Sequence, residues 1–319
     1  MPWKNKPTFD ADFQHSGFTA AIATSSESGS GVYNADLKRD WCIGFVPHGG
    51  YLTALLLSAS TDYMQTHPSL APLDQPHPIH IAVSFFRACV PGPALVTLTP
   101  VKTGRAYTFL RASLTQGTDV RLESVLAFTN LTTLQHGPTL ATLPERPTPH
   151  RLRDCVQPEP PLGRIIDVRP AMWKLRYRVP RGAADGSTDD VKCVREQWVS
   201  LVDGERIVTS TLGFLADMFQ PLPENYPETV RSNWYPTLSL SIEIKRVAPP
   251  EGWEWLFCRV HSREIRNGRM DINVDIFDEE SRLVAVAHQV AIIVTSDRNR
   301  PRGGEQKEGG KGKGEGVKL

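Results

Sequence analysis

Cysteine is scarce in this chain of 319 residues. The five, Cys42, Cys89, Cys155, Cys193 and Cys258, are odd in number, scattered and never spaced as CxxC. That distribution argues against a disulfide framework or a thiolate zinc site and suits a reducing compartment. An excess of either charge is also lacking. There are 36 basic and 35 acidic residues, a formal net charge of +1, and no basic stripe that would draw a nucleic acid. No apolar run approaches the roughly 20 residues needed to cross a bilayer. The N-terminal MPWKNKPTFDADF has no uninterrupted apolar core of a secretory signal. The expectation is a cytoplasmic protein that binds no nucleic acid and has no membrane span. The last residues, Val317-Lys318-Leu319, match the peroxisomal Ser-Lys-Leu signal at two positions of three, which makes peroxisomal targeting the second reading.

Three reaction machineries are missing as well. There is no GxSxG elbow for a serine hydrolase, and no Gly-rich loop ends in the Lys-Ser/Thr of a phosphate cradle. The His77-Pro78-Ile79-His80 cluster has no carboxylate or cysteine at ligand spacing, so it reads as the entry to a strand. No metal and no cofactor is expected. Cys42 and Cys89 read as buried thiols rather than nucleophiles.

Hydrophobic residues make up 40% of the chain, enough to fill two cores of ordinary size. Residues 136–161, HGPTLATLPERPTPHRLRDCVQPEPP, are dense in proline, which disfavours regular structure and stiffens a connector. They suggest a division into an N-terminal unit over 1–145, a linker over 146–165, a C-terminal unit over 166–296, and a tail over 297–319. The tail is too polar to offset its ordering entropy and reads as disordered.

The two units repeat one another faintly. Arg87 matches Arg246 (159 residues apart), Gly104-Arg105 matches Gly268-Arg269 (164), and Arg121-Leu122 matches Arg282-Leu283 (161). Each unit shows alternating strands without intervening helices, such as His80, Ala82 and Ser84 against Ile81, Val83 and Phe85. A helix precedes each meander: GGYLTALLLSASTDYM, apolar nearly all round, and TSTLGFLADMFQPL. One buried helix wrapped by a curled antiparallel sheet is the hotdog arrangement. The fold class expected is therefore α+β, a double hotdog of two antiparallel sheets, each wrapping a central helix and pairing edge to edge. The same edges offer a route to a homo-oligomer.

The run Val46-Pro47-His48-Gly49-Gly50-Tyr51, the strand ending Phe85-Phe86-Arg87 and the turn Lys102-Thr103-Gly104-Arg105 resemble the first hotdog of the thioesterase-like superfamily, which includes acyl-CoA thioesterase II and fungal relatives. The similarity covers roughly residues 41–294. It implies an acyl-CoA or related thioester as substrate and an Asp, Thr, Gln hydrolytic group in the second hotdog. The matching residues are Asp217 at the second helix, Thr237 opening the next strand and Gln289 on the last strand. Where that family has an acidic residue two positions after the threonine, this chain has Ser239.

Thioester hydrolysis needs a positioned water, an acceptor for its proton and donors for the developing oxyanion. Asp217 would orient the water and take its proton, Thr237 would hold it, and the Gln289 amide would fix it. His48, Gly49 and Gly50, at a helix N-terminus, are the expected substrate-binding residues. Their backbone N–H groups would receive the carbonyl oxygen. His48 also remains a candidate acid–base or a packing residue. By the offsets above, Thr237 falls on Pro78 and Gln289 on Phe128, so the first unit would lack the trio. Two other readings stay open: an acyl-binding hotdog without turnover, and a dehydratase or cyclase of secondary metabolism using His48. Trp253 and Trp255 are taken to pack a turn, with an acyl groove as the alternative.

Overall fold

The computed structural model describes residues 30–133, 137–140, 149–158, 169–181, 193–226 and 233–299. Residues 300–319 and the linker positions 146–148 and 159–165 lie outside them, including most of the expected tail.

The first unit supplies β1 (Gly31–Leu37), α1 (Gly49–Thr66), β2 (His77–Phe85), β3 (Gly92–Lys102), β4 (Thr108–Gln116) and β5 (Asp119–Thr129). The second supplies β6 (Cys155–Val156), β7 (Leu175–Pro180), β8 (Val194–Leu201), the single helical turn α2 (Leu212–Leu215), β9 (Thr237–Ile244), β10 (Leu256–His261), β11 (Arg269–Phe277) and β12 (Leu283–Ile292). All pair antiparallel in one continuous sheet of order β1-β3-β4-β5-β2-β9-β12-β11-β10-β8-β7-β6. Alternation in β2 is as read: Ile81 and Val83 are buried while Ala82 and Ser84 are exposed.

The halves meet where β2 pairs with β9. There Ala82 lies opposite Ser241, two residues 159 apart, so the repeat maps this pair onto itself. A pseudo-twofold axis therefore passes through it, and beside it His80 Nε2 lies 3.0 Å from Ser241 Oγ. Each half repeats the same register. Phe85 faces Leu122 as Ile244 faces Ala285, and Ile81 faces Leu126 as Leu240 faces Gln289. The last strands are thus offset by 163 (126 and 289), and the counterpart of Gln289 is Leu126, not Phe128.

The two helices differ. α1 is buried along most of its length, from Gly50 to Leu57 and again at Ala59, Ser60, Tyr63 and Met64. It packs on β2, β3 and β4 and is crossed on its other side by α2. The second helix is one turn rather than the expected counterpart of α1. Thr211 and Gly213 are poor helix formers, Gly costing about 1 kcal/mol against Ala, and Pro221 stops any continuation. The crossing explains Gly213, because a Cβ there would meet the backbone nitrogen of Ala54 at 2.7 Å. Lys174 of the second half ties the halves together. It is buried, ion-paired with Asp40 and 4.9 Å from the Trp41 ring centroid.

Two boundary expectations change. Within the Pro-rich stretch, Cys155–Val156 extends the sheet by pairing with Val179–Pro180, and Trp198 donates its indole N–H to the His150 carbonyl at 2.7 Å. Past the expected tail start, Ser296–Asn299 form a 3-10 turn, and Asn299 donates to the Ile43 carbonyl at 3.0 Å. Asparagine there satisfies backbone groups of the turn around Gly44, so order persists to residue 299. No helix among the described residues is long and apolar enough to cross a membrane.

Candidate active site

α1 begins without a local cap. Its N-cap residue is His48, whose side chain makes no capping bond, so the first backbone N–H groups need other partners. Asp217, two residues past the end of the α2 turn, supplies one: its Oδ2 accepts the Gly50 N–H at 2.7 Å. Glycine permits this approach. A Cβ on Gly50 would lie 2.8 Å from Asp217 Cβ, and one on Gly49 would lie 2.9 Å from Asp217 Oδ2. The site is therefore built across the junction of the halves.

Three further groups close on the carboxylate. Thr237 donates its hydroxyl to Asp217 Oδ1 at 3.3 Å, from the start of β9, where a register shift between Thr237 and Ser239 distorts the strand. Gln289, only 1% exposed, donates to the Ala216 carbonyl at 2.6 Å and also hydrogen-bonds Asp217. His48 Nε2 lies 3.1 Å from the Asp217 carbonyl and 3.3 Å from Oδ2. Burial raises the Asp217 pKa above its ordinary value, opposed by His48 and by the Gly50, Thr237 and Gln289 donors. Burial likewise lowers that of His48, which keeps its ring neutral, with Asp217 opposing.

All six expected site residues come together except in one detail. The Gly50 N–H, expected to meet a substrate carbonyl, is bonded to Asp217. His48, Gly49, Asp217, Thr237 and Gln289 line one cavity of about 1190 Å³, and Ser239 does not. Its walls are largely apolar, with Leu52, Phe85, Met218, Phe219 and Met270 among them. Two lining groups escaped the sequence reading: Arg169 and Glu224, a nearly buried ion pair with nothing local in the sequence to join them.

Other candidates resolve as packing. Cys42, Cys89 and Cys258 are buried free thiols, each pushed by burial up to about 12, which leaves no thiolate near neutrality. Trp253 belongs to the main core, and Trp255 to a satellite cluster with Cys155, Trp198, Phe257 and Phe277, both away from the cavity lining. His77–His80 opens β2, with His77 Nδ1 accepting the Leu131 N–H at 3.0 Å. Among the described residues no group of three or more His, Cys, Asp or Glu is placed to hold a metal.

Known proteins give a consistent picture. Residues 37–132 match the family described as "Acyl-CoA thioesterase N-terminal domain" and residues 141–293 its "Acyl-CoA thioesterase C-terminal domain". The chain is 28% identical over 340 aligned positions to the thioesterase-like protein TwmA of Talaromyces wortmannii, covering 87% of this chain and 92% of that protein. Two solved structures share the fold. A hot dog-fold protein from Alicyclobacillus acidocaldarius has a TM-score of 0.65 at 20% identity, covering 83% of this chain and 93% of that one. The acyl-CoA thioesterase II TesB2 of Mycobacterium marinum has a TM-score of 0.60 at 16% identity, with the same coverage of 83% and 93%. The chain belongs to the acyl-CoA thioesterase family of thioester hydrolases and is built as a double hotdog.

Proposed function

We propose that the cavity takes a fatty or polyketide-like acyl thioester of coenzyme A and hydrolyses it to the free acid and the thiol, with Asp217, Thr237 and Gln289 as the catalytic group. The observation that carries this reading is the convergence of these three side chains, distant in sequence, around one buried carboxylate beside an apolar cavity. A buried carboxylate is costly unless it is used or paired, and here its donors leave it the raised pKa that suits a general base. Thr237, donating to Oδ1, retains its own oxygen lone pairs for a water. Asp217 takes the proton of that water as its oxygen attacks the thioester carbon. The C–S bond then breaks, and the departing thiolate takes that proton from Asp217 to leave as the thiol. The Gln289 amide, held by Ala216, keeps the carboxylate turned. Gly49 at the start of α1 supports the substrate where the cavity meets the helix.

Asp217 also serves the Gly50 N–H, a capping role that by itself would retain an aspartate there. The test must separate the two. Thiol release is measured from acyl-CoAs of graded length with wild type, Asp217→Ala and Asp217→Asn. Asparagine keeps an acceptor for Gly50 but cannot take a proton. Both variants are expected to lose about 100-fold or more in kcat/KM, within the usual span for general-base catalysis. Equal release by wild type and Asp217→Asn removes the carboxylate from the chemistry. Saturable acyl-CoA binding with no thiol release by the wild type replaces hydrolysis with an acyl-binding role.

A further inference from the structure

The side chain that meets Asp217 from the opposite half, beside the Gly50 backbone, has no part in the Asp, Thr, Gln group. His48 Nε2 points at two oxygens of Asp217, the backbone carbonyl at 3.1 Å and Oδ2 at 3.3 Å. A carbonyl oxygen only accepts, so the contact is attractive only when Nε2 carries the hydrogen. That assigns the tautomer from the hydrogen-bond network. The other ring nitrogen, Nδ1, is enclosed and has no hydrogen-bond partner. A proton added there would be buried without an acceptor, so the ring resists becoming imidazolium. The ring's surroundings agree. Phe214 packs edge-on with ring centroids 5.5 Å apart, and the charged group acting on the ring is Asp217.

We infer that His48 is a positioning residue for Asp217: its neutral Nε2–H, supplied by the first half, holds the second-half carboxylate turned toward Thr237 and stabilises its ionised form. This rests on Asp217 being the group that activates water. An uncharged donor fits the task better than a cation. Imidazolium would pull the carboxyl far down and make it a poor base, whereas loss of the donor would leave burial unopposed on that side. His48 is thereby moved from substrate contact to control of the base, and the first half contributes to the chemistry as well as to the wall.

The sign follows directly. Removing a donor to the charged form raises the carboxyl pKa, so the base becomes protonated at higher pH. His48→Phe should therefore move the acid limb of the kcat/KM profile upward. Activity should fall about tenfold or more on the acid side, while the alkaline plateau stays within a few-fold of wild type. His48→Gln, which restores an N–H donor, should return the limb toward the wild-type position. The same titration is followed without substrate by the carboxyl ¹³C signals of the intact protein labelled at aspartate, with Asp217 assigned by its loss in Asp217→Asn. An upward midpoint in His48→Phe supports the inference. An unchanged midpoint overturns it, as does a pH-independent loss of activity or a ring found protonated on Nδ1 at neutral pH by ¹⁵N shifts. A moved midpoint in a protein that releases no thiol from any acyl-CoA sinks the hydrolysis reading and leaves the His48–Asp217 pairing standing.

Discussion

The two halves share a strand register and differ in what they bury. At equivalent places on β5 and β12 stand Leu126, fully buried, and Gln289, 1% exposed. At the starts of β2 and β9 stand Pro78 and Thr237. The first half keeps a helix of 18 residues, while the second reduces it to one turn of four and places the carboxylate two residues beyond it. One copy thus retains the apolar core, and the other exchanges core contacts for polar ones that need partners. Thr237 and Gln289 find Asp217 and Ala216 within their own half, and Asp217 alone of the trio draws further donors, Gly50 and His48, from the copy without it.

That contrast can be broken by exchanging residues between the copies. The largest effect is expected from Leu126→Gln, which buries an amide in a core offering no counterpart of Ala216 or Asp217. A loss of about 4 kcal/mol is expected, from the lost leucine packing and the unpaired polar group, read by denaturant unfolding. A loss below 1 kcal/mol would mean the first half tolerates the second half's polarity. Next comes Trp255→Ala in the satellite cluster, which has no counterpart among the described residues of the first half. It should cost about 3 kcal/mol, leaving thiol release at saturating acyl-CoA unchanged below the melting temperature. An altered KM would place this tryptophan in substrate binding after all. Gly50→Ala follows, since its new Cβ meets backbone oxygens of Gly213 and Phe214 at 2.9 Å; about 2 kcal/mol of overpacking should appear as a lowered Tm. Smallest in stability is Gln289→Leu, the reverse exchange. It should cost about 1 kcal/mol, for the Ala216 carbonyl left without its donor, yet lower kcat/KM about tenfold or more. Retained activity in that variant would reduce Gln289 to a core residue.

Much of this was legible in the chain. Alternation marked β2, where Ile81 and Val83 are buried, and the all-round apolar run marked α1. The residue types at Asp217, Thr237 and Gln289 pointed to the site through a family resemblance rather than through any local signal. The second helix is shorter than its sequence suggests, because a 3.6-residue apolar pattern over TSTLGFLADMFQPL also suits a buried turn packed by another helix. The strand offset of 161 missed by two residues, since irregular turns move matched residues without altering which strands pair. Arg169 with Glu224 and Asp40 with Lys174 gave no sign at all, being pairs across more than 50 residues.

The sequence by itself determined which segments alternate, which helix has no polar face and which residues carry useful oxygens and nitrogens, because these depend on side-chain chemistry and near-neighbour spacing. The tertiary structure alone decided that His48 and Gly50 of one half serve the Asp217 carboxylate of the other. That decision lies in the glycine-permitted crossing of α1 and α2, where two backbones separated by about 160 residues meet closely enough for one helix's uncapped N–H to choose its acceptor.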